Sequence, residues 1–323
     1  MNWLRHVMPK TESIMTPSNN TLSKLLEMPL DQLMARALKT KLRHRKDQFS
    51  LCTIMNVKSG NCTEDCSFCA QSAHHSTNAA IYPIQSVNEV LKQAEQAAQN
   101  GATRFSLVAS GRGPSPKEVE AYALRIQAIR ERIGISVCAS LGIMDSKSLL
   151  MLKQAGLSRY HHNLESSPDY FSQVCTTHTI FERIETIKAA KRIGLETCVG
   201  GIIGLGEDMR QRLNLALTLQ KLSVNSVPIN ILVPLPGTRL ANALPPSIPE
   251  ILRTIAIFRL LLPRQAIRIA GGRETLKDLQ GLLFMAGADA MLIGGYLTVR
   301  GRPVHEDLQM VERIKGIWQQ CSS

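Results

Sequence analysis

The feature that most constrains the fold is an eightfold alternation of short β-rich runs with amphipathic helical stretches. The runs are short and apolar, which is typical of buried parallel strands. Predicted strands cover residues 52–57, 104–109, 135–140, 159–164, 196–203, 226–232, 266–270 and 290–293. Eight such units over about 270 residues favour a closed (β/α)8 TIM-type barrel over an open doubly wound sheet.

Helical patterns fill the intervals between these strands. They cover residues 86–100, 116–133, 146–155, 180–193, 207–222, 249–261 and 275–285, and a last helix is predicted over 308–318. We therefore expect an N-terminal leader and helical extension over residues 1–44, one barrel domain over 45–319 and a tail over 320–323.

The balance of charge bears on the partners of the chain, whose formal net charge is +12. Its bases are spread over helical segments and only 4% of its residues are aromatic, which argues against nucleic-acid binding through base stacking. Two interpretations of the basic surface stay open: a solvated face, or a landing surface for an acidic electron-transfer protein.

The chain contains no apolar run that approaches the roughly 18 residues of a transmembrane helix, so we expect no membrane contact. The first ten residues lack the continuous apolar stretch of a secretory signal. Their scattered bases keep an organellar transit peptide as an alternative to a cytoplasmic location, which is the location we expect.

Three of the eight cysteines, Cys62, Cys66 and Cys69, form a C-x3-C-x2-C motif directly after the first predicted strand. Three thiolates at this spacing can hold one corner of a cubane and leave a fourth iron open to a substrate. Zinc is the alternative, with His74 or His75 as a further ligand, but structural zinc sites are usually closed by paired ligands.

The cysteine motif, with the aromatic Phe68 before its last cysteine, resembles the radical S-adenosylmethionine superfamily. A second match is the G-x-I-x-G-x-x-E pattern that begins with Gly200 and Ile202. The resemblance implies a 4Fe–4S cluster on the three cysteines, with Phe68, Gly200 and Ile202 near S-adenosylmethionine. Reductive cleavage of S-adenosylmethionine would then give methionine and a 5′-deoxyadenosyl radical.

Six segments, in the same order, narrow the resemblance to the biotin synthase family. They are KSGNCTEDCSFCAQSA, RFSLVASGRGP, RYHHNLESSP, TCVGGIIGLGE, SVPINILVPLPGT and IRIAGGRE, and the resemblance covers about residues 45–315. It implies radical-mediated sulfur insertion into dethiobiotin to give biotin. It also implies a flavodoxin or ferredoxin-type reductant and a homodimer.

The family's second cluster, a 2Fe–2S cluster that donates the sulfur, has ligands that map by motif onto Ser106, Cys138, Cys198 and Arg268. Ser106 stands where the family has cysteine. Four outcomes stay open: the serine alkoxide binds iron, another cysteine such as Cys52 replaces it, the cluster is of another type, or the cluster is absent. Cys175 and Cys321 are interpreted as bystanders.

The remaining site residues also follow from the resemblance. It places Asn163, Glu165 and Arg183 near S-adenosylmethionine, and His161 and Asn230 near dethiobiotin, whereas His162 is expected to face the helices. Substitutions at positions 106 and 161 keep a second hypothesis open. This is a related barrel enzyme without sulfur insertion, of the hydrogenase-cofactor maturase or methylornithine synthase type.

Overall fold

The computed structural model describes residues 19–295 and 302–322, and its centre is a closed barrel of parallel strands. The strands are β1 (Ser50–Lys58), β2 (Arg104–Ala109), β3 (Ser136–Ser140), β4 (Arg159–His161), β5 (Glu196–Cys198), β6 (Gly201–Ile203), β7 (Ser226–Ile231), β8 (Ala266–Ile269) and β9 (Ala290–Leu292). β1 pairs with both β2 and β9, and the ring closes where Cys198 of β5 pairs with Ser226 of β7. The predicted TIM-type fold is therefore confirmed.

The predicted fifth strand is split into β5 and β6, which together occupy one of the eight positions around the barrel. The break falls at Gly200, where an added Cβ would lie 1.8 Å from the backbone oxygen of Pro228. Only a residue without a side chain allows so close an approach of two backbones. The strand therefore kinks here, beside the cavity described below.

Helices surround the barrel and follow the predicted alternation. They are α1 (Asn19–Glu27), α2 (Leu30–Arg45), α3 (Val87–Gln99), α4 (Pro116–Arg132), α5 (Ser146–Gln154), α6 (Phe171–Val174), α7 (Ile180–Arg192), α8 (Met209–Lys221), α9 (Ile248–Leu261), α10 (Gly281–Met285) and α11 (Val304–Ser322). The predicted helix over 275–285 is instead a 3-10 helix (Arg273–Gln280) followed by α10, because Lys277 adopts a left-handed φ of 47°. α11 extends beyond the predicted 308–318 at both ends. Within the described ranges, no helix has the length and apolarity to cross a membrane.

Successive side chains along a strand point alternately outward, into the core between strands and helices, and inward, into the barrel. On β2, Phe105 and Leu107 are fully buried in the layer between strands and helices, whereas Ser106 points into the barrel. At the opposite end of the barrel from the cysteine motif, Asp289 accepts hydrogen bonds from Arg259 of α9 (2.9 Å) and Arg45 of α2 (2.6 Å). This buried ion cluster fixes α2 against the barrel.

Candidate active site

One cavity runs from the loops after the C-terminal ends of the strands into the barrel interior. It is lined by every predicted site residue except Gly200, whose backbone lies beside it: Cys62, Cys66, Phe68, Cys69, Ser106, Cys138, His161, Asn163, Glu165, Arg183, Cys198, Ile202, Asn230 and Arg268. Functional groups of TIM barrels collect at this end. The sequence-derived set therefore converges on one place in the molecule.

The cysteine loop follows β1 and is folded by its own backbone. Cys62 donates an amide hydrogen bond to the Gln71 carbonyl (3.0 Å), and Cys69 donates one to the Cys66 carbonyl (3.0 Å). The side-chain oxygen of Gln71 accepts hydrogen bonds from Ser59 (3.1 Å) and Gly60 (3.2 Å). These hydrogen bonds of the loop thus hold the three thiols toward the cavity.

The surroundings of the loop bear on which metal its thiols suit. Burial raises the pKa of Cys69 to about 11, so its bound proton must be displaced by iron. His74 and His75 each place a ring nitrogen against a backbone carbonyl, of Thr63 (3.0 Å) and Cys69 (2.8 Å). Within the described residues, neither histidine forms a group with two sulfurs of the loop in which all three ligand atoms lie within 4.8 Å of one another. Three thiols facing a cavity therefore fit a 4Fe–4S cluster with one open iron better than a closed zinc site.

Cys175, interpreted from the sequence as a bystander, lies against the cysteine loop. A hydrogen bond from Cys66 lowers the pKa of the Cys175 thiol to about 4, and the ligand atoms of Cys66, Cys175 and His178 lie within 4.8 Å of one another. The segment after α6 crosses the cysteine loop because Asp65 accepts backbone hydrogen bonds from Thr176 (2.8 Å) and Thr177 (3.2 Å). Asp65 and Cys175, which are 110 positions apart in the sequence, meet here. A local sequence pattern does not predict such a contact.

A chain of polar contacts connects the cysteine loop with the residues after β4. The Glu64 carboxylate contacts His178, whose other ring nitrogen accepts a hydrogen bond from Arg183 (2.8 Å). Arg183 also donates to the backbone carbonyl of Asn163 (2.8 Å) and lies 3.8 Å from Glu165. The guanidinium is therefore fixed in the cavity wall, and sequence alone had not identified Glu64 or His178 as its supports.

Asn163 and Glu165 form the floor of this part of the cavity. The Asn163 side chain donates to Glu165 (3.2 Å) and accepts from the Gly200 amide (3.1 Å), across the kink between β5 and β6. Glu165 has a left-handed φ of 64°, an uncommon conformation for a residue with a Cβ. Burial raises the pKa of the Glu165 carboxyl although Arg183 opposes the shift. A strained and only partly exposed carboxylate of this kind is characteristic of a ligand-binding position.

The glutamate of the glycine-rich pattern has a structural role. Glu207 accepts hydrogen bonds from the amides of Gly204 (2.8 Å) and Leu205 (2.7 Å), and its carboxylate also receives the Arg212 guanidinium (2.6 Å). It therefore closes the turn after β6 and keeps Ile202 at the cavity wall. His162 lies buried with its ring stacked on Tyr160, and burial lowers its pKa, so it remains a neutral imidazole.

Asn230 lies deeper in the cavity and already bridges two strands. Its amide nitrogen donates to the Gly201 carbonyl (3.3 Å), and its oxygen accepts from the Gly271 amide (3.0 Å). A carboxamide has two N–H groups and two lone pairs on oxygen, so one of each is not used by these contacts. Asn230 can thus offer a paired donor and acceptor to a ligand while it holds the wall.

The innermost part of the cavity combines thiols with guanidinium groups. Arg268 donates to the backbone carbonyls of Ser50 (3.3 Å) and Met291 (3.2 Å), and Arg104 lies 4.0 Å from the sulfur of Cys138. Burial alone would raise the pKa of Cys198, but His161 reverses the shift and lowers it to about 6. Cationic groups around thiols would repel a bare metal cation but compensate an anionic iron–sulfur cluster, so the donor set fits the latter.

Two family profiles match the chain, the Radical SAM superfamily over residues 56–219 and the Biotin and Thiamin Synthesis associated domain over residues 228–315. The chain is 48% identical over 295 residues to the biotin synthase of Pelotomaculum thermopropionicum, a match that covers 91% of this chain and 92% of that protein. It is 44% identical over 291 residues to the biotin synthase of Clostridium perfringens, with 90% and 91% covered.

Solved structures show the same architecture at much lower identity. A methylornithine synthase superimposes with a TM-score of 0.78 over 92% of both chains, at 20% sequence identity. Such a likeness reports the fold alone, because one barrel fold serves many chemistries. Sequence identity therefore separates the two functional hypotheses where architecture does not.

Proposed function

The chain belongs to the biotin synthase family of radical S-adenosylmethionine enzymes, and from this premise we propose that it inserts sulfur into dethiobiotin to give biotin. One cavity contains two separate sets of cysteines, and this observation carries the proposal. Cys62, Cys66 and Cys69 line its mouth, and Cys138 and Cys198 line its interior. An enzyme that only cleaves S-adenosylmethionine needs the outer set of cysteines but not the inner set.

We propose that the outer thiols hold a 4Fe–4S cluster with S-adenosylmethionine at its open iron. When bound, the cluster supplies the single electron that cleaves S-adenosylmethionine. Asn163 and Glu165 offer a carboxamide and a carboxylate that suit ribose hydroxyls, and Arg183 offers a positive charge to the methionine carboxylate. Phe68, Gly200 and Ile202 supply the apolar and backbone wall against which an adenine can pack.

The inner part of the cavity is assigned to dethiobiotin and the sulfur source. Asn230 offers its remaining N–H and lone pair to the ureido ring, and His161, which pairs with Cys198 across β4 and β5, lies deeper in the barrel. Cys138, Cys198 and Arg268 hold the auxiliary iron–sulfur cluster, which we propose to be 2Fe–2S, and Ser106 faces the same space. When bound, this cluster supplies the sulfur atom. The buried walls exclude water from the reacting C–H bonds.

Further proposals concern the assembly. The net charge of +12 suits an acidic flavodoxin or ferredoxin-type reductant, and we propose a homodimer by family resemblance. All eight cysteines are free, which suits a reducing compartment such as the cytoplasm. We retain the division into an extension over residues 1–44, a barrel over 45–319 and a tail over 320–323.

The test is turnover of anaerobically reconstituted protein with dethiobiotin, S-adenosylmethionine and a reductant. We expect biotin and 5′-deoxyadenosine, and we expect Cys62→Ala, Cys66→Ala and Cys69→Ala each to abolish 5′-deoxyadenosine. Cys321→Ala, at an exposed position on α11, is the matched control for loss of a thiol. Formation of 5′-deoxyadenosine without biotin, in protein loaded at both sites, would contradict sulfur insertion.

A further inference from the structure

The interior of the barrel is built in layers, and the strand register identifies the members of each one. In a (β/α)8 barrel with a shear of eight, a layer takes one residue from every second strand and rises by two residues at each step. Cys52 of β1 pairs with Arg104 of β2, and Arg104 pairs with Ser136 of β3. The next member of the layer lies two residues further along β3 and is Cys138. The same rule can be followed around the whole ring.

The next steps reach the remaining inner ligands. From Cys138 the register passes through Arg159 and Glu196 to Cys198, and from Cys198 through Ser226 and Ala266 to Arg268. From Arg268 it passes through Ala290 and Ser50 and returns to Cys52. Four steps of two residues close the ring, as a shear of eight requires. One layer therefore contains Cys52, Cys138, Cys198 and Arg268.

Ser106 belongs to the adjoining layer. Its partner on β3 is Cys138 and its partner on β1 is Ile54, two residues nearer the cavity mouth than Cys52. The same counting gives its layer as Ser106, His161, Pro228 and Leu292. Ser106, the position that the family resemblance assigns to the auxiliary ligand set, thus lies one layer above Arg268. Cys52 lies in the same layer as Arg268.

The environment of Cys52 suits a ligand. It is buried and lines the cavity beside Ala270 and Leu292, and its thiol donates a long hydrogen bond, 3.7 Å, to the carbonyl of Thr53. Within the described ranges, the three inner sulfurs do not all approach one another within 4.8 Å. They are therefore not gathered around one ion, whereas the irons of a cluster take separate ligands.

We propose that Cys52 is the third thiolate ligand of the auxiliary cluster, in a set completed by Cys138, Cys198 and Arg268, and that Ser106 does not bind iron. The assignment rests on the proposed function, which requires an inner cluster. Thiolates are the soft ligands that iron–sulfur clusters favour, and an alkoxide is a hard one. Ser106 then presents its hydroxyl to the cavity, one layer nearer its mouth.

The test isolates the inner site by combining Cys62→Ala, Cys66→Ala and Cys69→Ala, so that only the auxiliary cluster can load. Iron and acid-labile sulfide per chain, absorption and Mössbauer spectra are measured after anaerobic reconstitution. Into this background we place Cys52→Ala, Ser106→Ala and, as a control, Cys321→Ala. We expect Cys52→Ala to lose at least half of the inner iron, while Ser106→Ala and Cys321→Ala retain it.

Cys52→Ser keeps the volume of the side chain and exchanges sulfur for oxygen, so it carries the test if Cys52→Ala does not fold. We expect it to shift the charge-transfer bands of the inner cluster or to lose iron. Full iron and an unchanged spectrum in both Cys52 variants would overturn the assignment, as would loss of iron in Ser106→Ala alone. If the wild-type chain forms biotin while Cys52→Ala keeps its inner cluster, only the ligand assignment fails. If the triple background binds no inner iron at all, the proposed function fails with it.

Discussion

Replacing Asn230 by alanine should weaken dethiobiotin binding far more than it weakens S-adenosylmethionine cleavage. The side chain has one N–H and one lone pair beyond its contacts with Gly201 and Gly271. A ureido group buried against alanine would leave its own donor and acceptor unsatisfied. That loss costs about 1–3 kcal/mol, which corresponds to an increase in Kd of about 5- to 150-fold.

The same substitution also tests the wall of the cavity, because the Gly201 carbonyl and the Gly271 amide lose their partner. We expect a reduction of the free energy of unfolding by about 1–3 kcal/mol, measured by urea denaturation of the apoprotein. Asn214→Ala is the matched control, since that exposed carboxamide contacts only Asp169 (2.7 Å) among the described residues. It should change neither quantity by more than about 0.5 kcal/mol.

The assay compares calorimetric titration of dethiobiotin into S-adenosylmethionine-loaded protein with the rate of 5′-deoxyadenosine formation at saturating dethiobiotin. The expected pattern is a raised Kd with a nearly unchanged rate of cleavage. Equal losses in binding and cleavage, or an unchanged Kd, would refute the placement of Asn230 at the ureido ring. Asn230→Asp adds a second comparison, because it keeps the acceptor for Gly271 and removes the donor.

Three further outcomes follow from the geometry. Asp289→Ala should lower the free energy of unfolding by about 3–5 kcal/mol, since it leaves the buried Arg259 without its carboxylate; a loss below about 1 kcal/mol in urea denaturation would contradict this. Although burial opposes ionisation, hydrogen bonds from neighbouring threonines hold the pKa of Asp65 below its ordinary value of about 4. Its contribution to stability is therefore complete above pH 4 and declines as the pH falls below it, and Asp65→Asn should remove that part of the pH dependence of urea denaturation. Gly200→Ala should abolish S-adenosylmethionine binding measured by equilibrium dialysis, because its Cβ meets the backbone of β7, whereas Gly316→Ala, with open space around it, should bind normally.

The sequence predicted what depends on local periodicity. Alternation along β2 placed Ser106 inside the barrel and Phe105 and Leu107 outside it, because the side-chain period of a strand is two. Ordered motifs likewise brought Cys138, Cys198 and Arg268 to one cavity. The break between β5 and β6 was not predicted, because it depends on the approach of Gly200 to a strand whose position the sequence does not report.

Long-range contacts escaped prediction for a related reason. Cys175 was interpreted as a bystander, but two backbone amides that bind Asp65 carry it to Cys66. The sequence named Cys52 only as one cysteine that could replace Ser106, because its layer in the barrel depends on the register of all the strand pairs taken together. Motif matching transfers roles position by position, whereas the shear of a barrel is a property of the closed ring.

The hydrogen bonds between Asp65 and the segment after α6 have a consequence for the protein when it loses its iron. Many small metal sites exist only when the metal is present, so loss of the ion is also loss of the fold. Here carboxylate and backbone hydrogen bonds shape the loop that carries the outer cysteines. We therefore expect the loop to keep its shape when the iron is lost, so that anaerobic addition of iron and sulfide restores the cluster without synthesis of a new chain.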